Sequence, residues 1–328
     1  MRRKLPSLVL AVLLALATAG AAAAANGGFT PVQPESPNAS HTQSAYYLIL
    51  GFTAAIFVLV EGLLVAFVWK YRSRGRARTV EGAQVSGHTR LELIWTVFPV
   101  VVLAVISAFV FYELPNIDSA PAAANPIHIT IEGHQYYWQF DYPNGARSIG
   151  TLHVPVGAVV DLKVVSPDVI HSWWIPALGG KIQAIPGRTN HSWFLAEAPG
   201  SYEGQCAELC GAFHASMLAT VRAESAQAYQ TYVSKTASAT IGRQEWGGVC
   251  ATCHGNLGQG GYGPAIANNT LLTQTAGLEG ILRNGFVGTT GAMPPVGDTW
   301  TKGQVAALVA YVKKHIYKPV PAGATSGG

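Results

Sequence analysis

Three long apolar runs dominate the first third of the chain. The opening MRRKLPSLVLAVLLALATAGAAAAAN has a basic start, an apolar stretch and small residues that end in an A-x-A pattern before Asn26. That layout predicts a secretory signal peptide over residues 1–25, with cleavage near Ala25. No cysteine lies near that site, so nothing supports a lipid-modified N-terminus. The second run, YYLILGFTAAIFVLVEGLLVAFVW, covers residues 46–69. As a helix it is roughly 36 Å long, enough to cross a bilayer core of about 30 Å. The third, LIWTVFPVVVLAVISAFVFY (residues 93–112), just reaches across. Its Pro99 is tolerable in a membrane helix whose neighbours satisfy the freed carbonyl.

After the third run the pattern changes period. From Ile127 to about Glu224, HITIEG alternates, YYWQFDY is aromatic-rich and TLHVPVGAVVDLKVV is rich in branched residues. PNG, PVG and APG punctuate these stretches, as turns do between short strands. About a hundred residues of this kind predict a sandwich or Greek-key barrel. AQAYQTYVSKTASAT then reads as a linker with some helical character. Beyond it lie glycine-rich loops and a final amphipathic segment, KGQVAALVAYVKKHI, whose Val305, Leu308, Val309 and Val312 share one face. The expected organisation is a membrane hairpin with its N-terminal segment over 26–114, a β domain over 115–225, a linker over 226–240, a small helical domain over 241–318 and a tail over 319–328.

Composition agrees with a membrane anchor. Hydrophobic residues make up 49% and charged residues 12%, too apolar for an ordinary soluble chain of this length. The loop between the two helices carries Lys70, Arg72, Arg74, Arg76, Arg78 and Arg90, whereas residues 26–45 and 113–146 contain no Lys or Arg. The positive-inside rule puts that loop in the cytoplasm and both of its flanks outside. The formal net charge of +4 is small and concentrated in this loop, which argues against nucleic acid as a partner. Glu61 lies within the first membrane helix and has no evident task. Glu92 sits at the cytoplasmic mouth of the second, where an ordinary interfacial carboxylate is equally at home.

The helical module contains CATCH, Cys250 to His254. C-x-x-C-H is the pattern for covalent haem c attachment: two thiols add to the haem vinyl groups and the histidine becomes an axial ligand. A redox dithiol does not require His254, and a zinc site would want more ligands nearby. GAMPP supplies Met293 as a sixth ligand, and Met/His ligation suits electron transfer rather than oxygen binding. GYGP, ending at Pro264, follows at a spacing that resembles class I cytochromes c.

The β module contains CAELCGAFHASM, with Cys206, Cys210, His214 and Met217 within twelve positions. Secretion permits a short disulfide loop here. A disulfide, however, needs neither the histidine nor the methionine. A mononuclear blue-copper site uses a single cysteine. Two thiolates at this spacing suggest two copper ions bridged by both sulfurs, which requires a second histidine from elsewhere. His171 in DVIHSWWIP is the candidate and His191 in NHSWF its rival.

LELIWTVFPV, GHQYYWQFDY, DVIHSWWIPALGGKIQAIPGR and SYEGQCAELCGAFHASM together resemble subunit II of haem-copper cytochrome c oxidase, which carries the binuclear copper centre CuA. With the C-terminal haem module, the chain resembles the fused subunit II of caa-type oxidases. The resemblance implies a multidomain membrane protein with a two-helix transmembrane hairpin, an all-β cupredoxin-like Greek-key domain and a small all-α cytochrome c domain. It implies that Cys206 and Cys210 bridge both coppers. His171 and Met217 would complete one copper, and His214 with the backbone carbonyl of Glu208 the other. The Glu208 side chain would reach a magnesium ion at the boundary with subunit I. Many family members have tryptophan just after GHQ, where an electron from soluble cytochrome c enters. Here that position is Tyr136, with Trp138 as a further aromatic on the path, while Tyr137 reads as strand packing. In the family the position of Glu92 marks the start of a proton pathway.

The implied function is electron relay: haem c takes one electron from a respiratory donor, CuA receives it, and subunit I reduces oxygen to water with proton translocation. The donor would be a cytochrome c or a quinol–cytochrome c reductase. Subunit I, and subunit III beside it, would be partners in the bacterial cell membrane, among its lipids. A CuA-bearing subunit of a nitric oxide reductase shares the relay chemistry. A membrane-anchored copper assembly factor binds copper but has no use for a covalent haem with two axial ligands.

Overall fold

The computed structural model describes residues 31–72, 84, 86–122, 125–236, 241–288 and 291–319. The signal segment 1–25, the loop residues Arg74, Arg76 and Arg78, positions 237–240 of the expected linker and the tail from 320 onward lie outside the described residues. The chain divides into two units, one of them Ser40–Asp118 and the other containing the remainder.

The first unit is the hairpin. Helix α1 spans Pro37–Tyr71 and α2 spans Thr89–Asp118. Both extend beyond the apolar runs. Pro99 and Pro115 are accommodated within α2. The most apolar windows have mean hydropathies of 2.5 and 2.6 and are almost wholly exposed. Phe57, Leu63, Val68, Trp95 and Phe98 all face outward, an arrangement that suits lipid rather than water. His41 Nδ1 lies 2.7 Å from Glu113 Oε2 and ties the two helices near one end.

The second unit begins with a β sandwich. One sheet has the order β3 (Arg147–Ile149), β2 (Tyr137–Asp141), β1 (Ile127–His134), β5 (Val159–Val165), β8 (Asn190–Leu195). The other has β4 (Thr151–Pro155), β10 (Leu218–Glu224), β9 (Gly200–Gln205). β1 and β5 run parallel, as do β4 and β10, so the chain crosses between sheets as a cupredoxin-like sandwich requires. Alternation sets the register. In β5, Val160, Leu162 and Val164 point into the core, and in β10 so do Ala219, Val221 and Ala223. Strands β6 (His171–Trp173) and β7 (Ile182–Ala184) form a small ribbon beside them.

Two neighbouring stretches join this sandwich. Around the start of α1, the Glu35 N–H donates to the Ala177 carbonyl at 2.7 Å, and the Asn38 amide donates to the Trp193 carbonyl at 2.6 Å. The passage expected as a linker contains helix α3, Ala226–Thr236, whose Tyr229 and Val233 are buried in the sandwich core. Their i, i+4 spacing places both on one helix face, so this stretch packs instead of spanning a gap.

The last module opens with a continuous helical run: α4 (Ile241–Glu245), a turn widened to π geometry (Trp246–Cys250) and α5 (Ala251–His254). Helix α6 spans Thr275–Asn284, and α7 spans Lys302–His315. Thr301 and Gln304 form a capping box at the start of α7, a device worth about 1 kcal/mol. Val305, Leu308, Val309 and Val312 are buried, as their spacing predicts. This helical module also holds a short hairpin, β11 (Phe286–Gly288) with β12 (Gly291–Met293), which carries Met293.

The two modules of this unit share side chains. Tyr137 and Ile149 of the sandwich belong to the core of the helical module. The Trp300 indole N–H donates to the Tyr137 hydroxyl at 2.9 Å, and that hydroxyl donates to the Val296 carbonyl at 3.1 Å. Tyr137 is therefore packing of a different sort from that expected of a strand residue: it seals one module against the next. Arg147 bonds to Asp141 in its own sheet and donates to Gln304 Oε1 at 2.9 Å.

Candidate metal centre and haem pocket

The first site is made by a ribbon and a loop. His171 opens β6, and the loop after β9 brings Cys206 and Cys210 against it. The loop is anchored at both ends: Cys206 N–H donates to the Met217 carbonyl and Ala207 N–H to the Ser172 carbonyl, each at 2.9 Å. A single 3₁₀ turn, His214–Ser216, then swings His214 and Met217 back toward the sulfurs.

Five donor side chains converge. The Cys206 and Cys210 sulfurs are 3.9 Å apart and unbonded. His171 Nδ1 is 3.9 Å from Cys206 Sγ, His214 Nδ1 is 3.4 Å from Cys210 Sγ, and Met217 Sδ is 3.8 Å from Cys210 Sγ. The ligand atoms of His171, Cys206 and Cys210 all lie within 4.8 Å of one another. His171 and Met217 are fully buried, and both cysteines are buried. This largely buried set of thiol, imidazole and thioether donors, with His214 at its partly exposed edge, fits soft or borderline ions such as copper, and two sulfurs allow bridging. The Glu208 carbonyl faces Cys206 Sγ at 3.3 Å, while its carboxylate accepts from the Gln183 amide at 3.3 Å. His191 is not part of this group: it is exposed on β8, opposite Lys163.

Electrostatics distinguishes the two thiols. Burial opposes ionisation of Cys206, but the His171 ring and backbone hydrogen bonds at Ser172 and Glu208 bring it down to about 7. Burial and the neighbouring Cys206 push Cys210 up to about 12. Cys206 is thus the first thiol to deprotonate.

A residue that sequence reading missed orients His171. Asp168 Oδ1 lies 2.8 Å from His171 Nε2, and Asp168 also accepts from the Gln135 and Val169 N–H groups. Although burial works against the charge, these bonds hold the Asp168 carboxyl below its usual range. With Nε2–H committed to Asp168, Nδ1 is left to face the sulfurs, the arrangement typical of a metal-binding histidine. The spacing D-x-x-H in SPDVIH was the available signal.

Aromatic rings surround the site. Trp138, fully buried, packs edge-on to His171 at 6.0 Å and to Trp173 at 5.3 Å. Tyr136 packs edge-on to Phe213 at 5.4 Å, with its hydroxyl against Gly211, where any Cβ would collide with it. Gly211 also takes φ +134°, so the turn before His214 needs glycine twice over.

The second site is a cavity of about 240 Å³ in the helical module, lined by Cys250, Cys253, His254 and Met293 among mainly apolar side chains. His254 Nδ1 lies 2.8 Å from the Pro264 carbonyl, which commits that nitrogen and leaves Nε2 for an axial bond. Gly263 passes so close that a Cβ there would meet the His254 ring at 2.8 Å. These features explain the GYGP stretch, and the two thiols, the histidine and the methionine fit a covalently held haem. Phe213, from the copper-type loop, also lines this cavity. Glu92, in the hairpin unit, is exposed near the start of α2, where its Oε1 accepts from the His88 N–H at 3.0 Å.

Comparison with known proteins agrees along the chain. Residues 25–112 match the family described as cytochrome c oxidase subunit II, transmembrane domain, and residues 147–224 match its periplasmic domain. Residues 237–312 match cytochrome c oxidase, cbb3-type, subunit III. The chain is 32% identical over 311 residues to cytochrome c oxidase subunit 2 of Alkalihalophilus pseudofirmus, covering 87% of this chain and 90% of that one. It is 32% identical over 253 residues to the protein of the same name from Cereibacter sphaeroides, covering 65% and 82%. The periplasmic domain of subunit II of cytochrome oxidase from Bradyrhizobium japonicum is 33% identical, covers 36% of this chain and 96% of that one, and superposes with a TM-score of 0.34.

Proposed function

The chain belongs to the cytochrome c oxidase subunit II family, and on that premise we propose that it relays electrons from its own haem c to a CuA centre and on to subunit I of a haem-copper oxidase. The observation that carries this reading is the convergence of His171, Cys206, Cys210, His214 and Met217 beside a separate Cys250–Cys253–His254–Met293 pocket. When bound, the copper pair and the haem accept and release single electrons without bond rearrangement.

The chain's own residues prepare these sites. Cys206 and Cys210 would hold the copper pair between them, with His171 and Met217, and His214 and the Glu208 carbonyl, as the further donors. Asp168 holds the His171 tautomer, and burial of Met217 and Trp138 keeps water out. Cys250 and Cys253 would attach the haem, and His254 and Met293 would be its iron ligands. Tyr136 and Trp138 would lie on the path of an electron entering the copper site from an external donor. The Glu208 carboxylate would hold a magnesium ion shared with subunit I, and Glu92 would gather protons on the cytoplasmic side. The hairpin anchors the protein in the bacterial cell membrane with both redox modules outside. Its partners are subunits I and III, and a cytochrome c or quinol–cytochrome c reductase supplies electrons.

The test is spectroscopic and functional. The purified complex should show the near-infrared band and multiline electron paramagnetic resonance signal of a mixed-valence copper pair, together with a haem c spectrum, and should reduce oxygen. Nitric oxide reduction without oxygen reduction would change the acceptor. Absence of the copper-pair band would return the chain to copper delivery.

A further inference from the structure

Of the side chains lining the haem cavity, Phe213 alone comes from outside the helical module; among the described residues, the rest lie between Trp246 and Val312. Phe213 is also the residue immediately before His214, whose Nδ1 faces Cys210 Sγ at 3.4 Å. One residue of the copper-type loop therefore closes the haem pocket while its chain neighbour serves the copper-type site.

The position of the Phe213 ring is held on several sides. Its carbonyl accepts from the Ser216 N–H at 2.9 Å, and the His214 N–H donates to Gly211 at 3.1 Å, which locks the turn. On the haem side the ring packs edge-on to Tyr262 at 6.1 Å and 66°. On the other side it packs edge-on to Tyr136 at 5.4 Å and 76°. Phe213 is half-buried, whereas Tyr262 is 79% exposed. The shared contacts of Tyr137 with Trp300 and of Arg147 with Gln304 hold the two modules in this juxtaposition.

We propose that Phe213 is the electron-transfer contact between the two centres, and that electrons from the tethered haem enter the copper site there and not at Tyr136. The proposal rests on the relay reading above. In the step, one electron leaves the ferrous haem, which becomes ferric, and one arrives at the oxidised copper pair; no bond forms and no proton moves. Electron tunnelling weakens exponentially with the width of an unbridged gap, so a packed ring that touches the haem cavity and adjoins a copper ligand favours this crossing. Tyr136 lies one ring further from the cavity, behind Phe213. That position suits an external donor and adds nothing to the internal crossing.

The experiment uses the full chain with both centres loaded, and compares Phe213→Leu and Phe213→Tyr with wild type. Haem reduction is triggered by light, and the loss of the near-infrared copper band is followed in time. Phe213→Leu should slow this step severalfold, because the packed ring that narrows the gap is lost. Phe213→Tyr should restore it. The haem potential and both resting spectra should not change. A second readout needs no copper: in the copper-free chain, ascorbate should reduce the haem several-fold faster in Phe213→Ala than in wild type, because that face of the cavity is uncovered. A wild-type rate in Phe213→Leu would overturn the proposal. So would slowing accompanied by a shifted haem potential and no rescue by tyrosine, since the residue would then be merely structural. Absence of either spectrum from the wild type would instead overturn the relay reading itself.

Discussion

Asp168 Oδ1 stands 2.8 Å from His171 Nε2, while the opposite nitrogen of the same ring points at the Cys206 sulfur. The carboxylate thus decides which nitrogen is free to bind metal. Removing it in Asp168→Ala should weaken copper binding by about 10–100-fold, the usual cost of losing such a partner. Asp168→Asn keeps an acceptor and should lose less. Competition with a chelator of known affinity measures both, and equal affinity in Asp168→Ala would mean that the ring is oriented by packing alone.

The sulfurs of Cys206 and Cys210 are 3.9 Å apart and both face the site. Cys206→Ser or Cys210→Ser should abolish the binuclear signature, because one thiolate cannot bridge as two do. Met217→Leu should keep two coppers per chain with an altered spectrum and potential, since the thioether is the weak ligand. Metal analysis together with electron paramagnetic resonance separates these outcomes. Two coppers and normal turnover in a cysteine variant would refute the bridging assignment.

Met293 closes the haem cavity opposite the module's helices, on the β11–β12 hairpin. Met293→Ala should leave the haem covalently attached through Cys250 and Cys253 but lower its reduction potential. A redox titration of the denaturation-resistant haem band is the measurement. An unchanged potential would assign the sixth ligand elsewhere.

Glu245 is fully buried in the helical module, with neither carboxylate oxygen in a complete hydrogen bond. Burial pushes its pKa from 4.5 to about 8, against the opposing pull of the Gln304 amide and the Arg147 charge. The folded chain therefore keeps a proton that the unfolded chain releases. The stabilising contribution is full below 4.5 and is lost as pH rises through about 8. Glu245→Gln should consequently gain thermal stability over wild type as the pH is raised across that window, and little below it. Melting curves of the haem-loaded chain at a series of pH values test this, and a pH-independent difference would show that the carboxyl titrates normally.

Glu92 accepts a hydrogen bond from the His88 N–H at the start of α2, a local capping contact. The proton-gathering role predicts more. Glu92→Gln, in the assembled oxidase, should slow turnover and reduction of the subunit I centres, while haem c and CuA are still reduced rapidly. Rapid mixing resolves each centre, and equal rates at subunit I would leave Glu92 a helix cap.

Local chemistry in the sequence was enough to define much of this protein. The apolar runs state the membrane hairpin because length and hydropathy are properties of a segment alone. CATCH and CAELCGAFHASM nominate candidate ligands because binding groups lie close together on a short loop, and the α7 core face follows from helical period. Tertiary structure decided what depends on distant partners. Asp168 becomes significant only when β6 meets the cysteine loop, and His171 prevails over His191 because one strand faces that loop and the other faces solvent. The helix at Ala226–Thr236 packs because the sandwich offers a surface for Tyr229 and Val233. Tyr137 and Phe213 gain their roles only where two modules meet, since a side chain's own sequence neighbourhood does not say which other part of the fold it will touch.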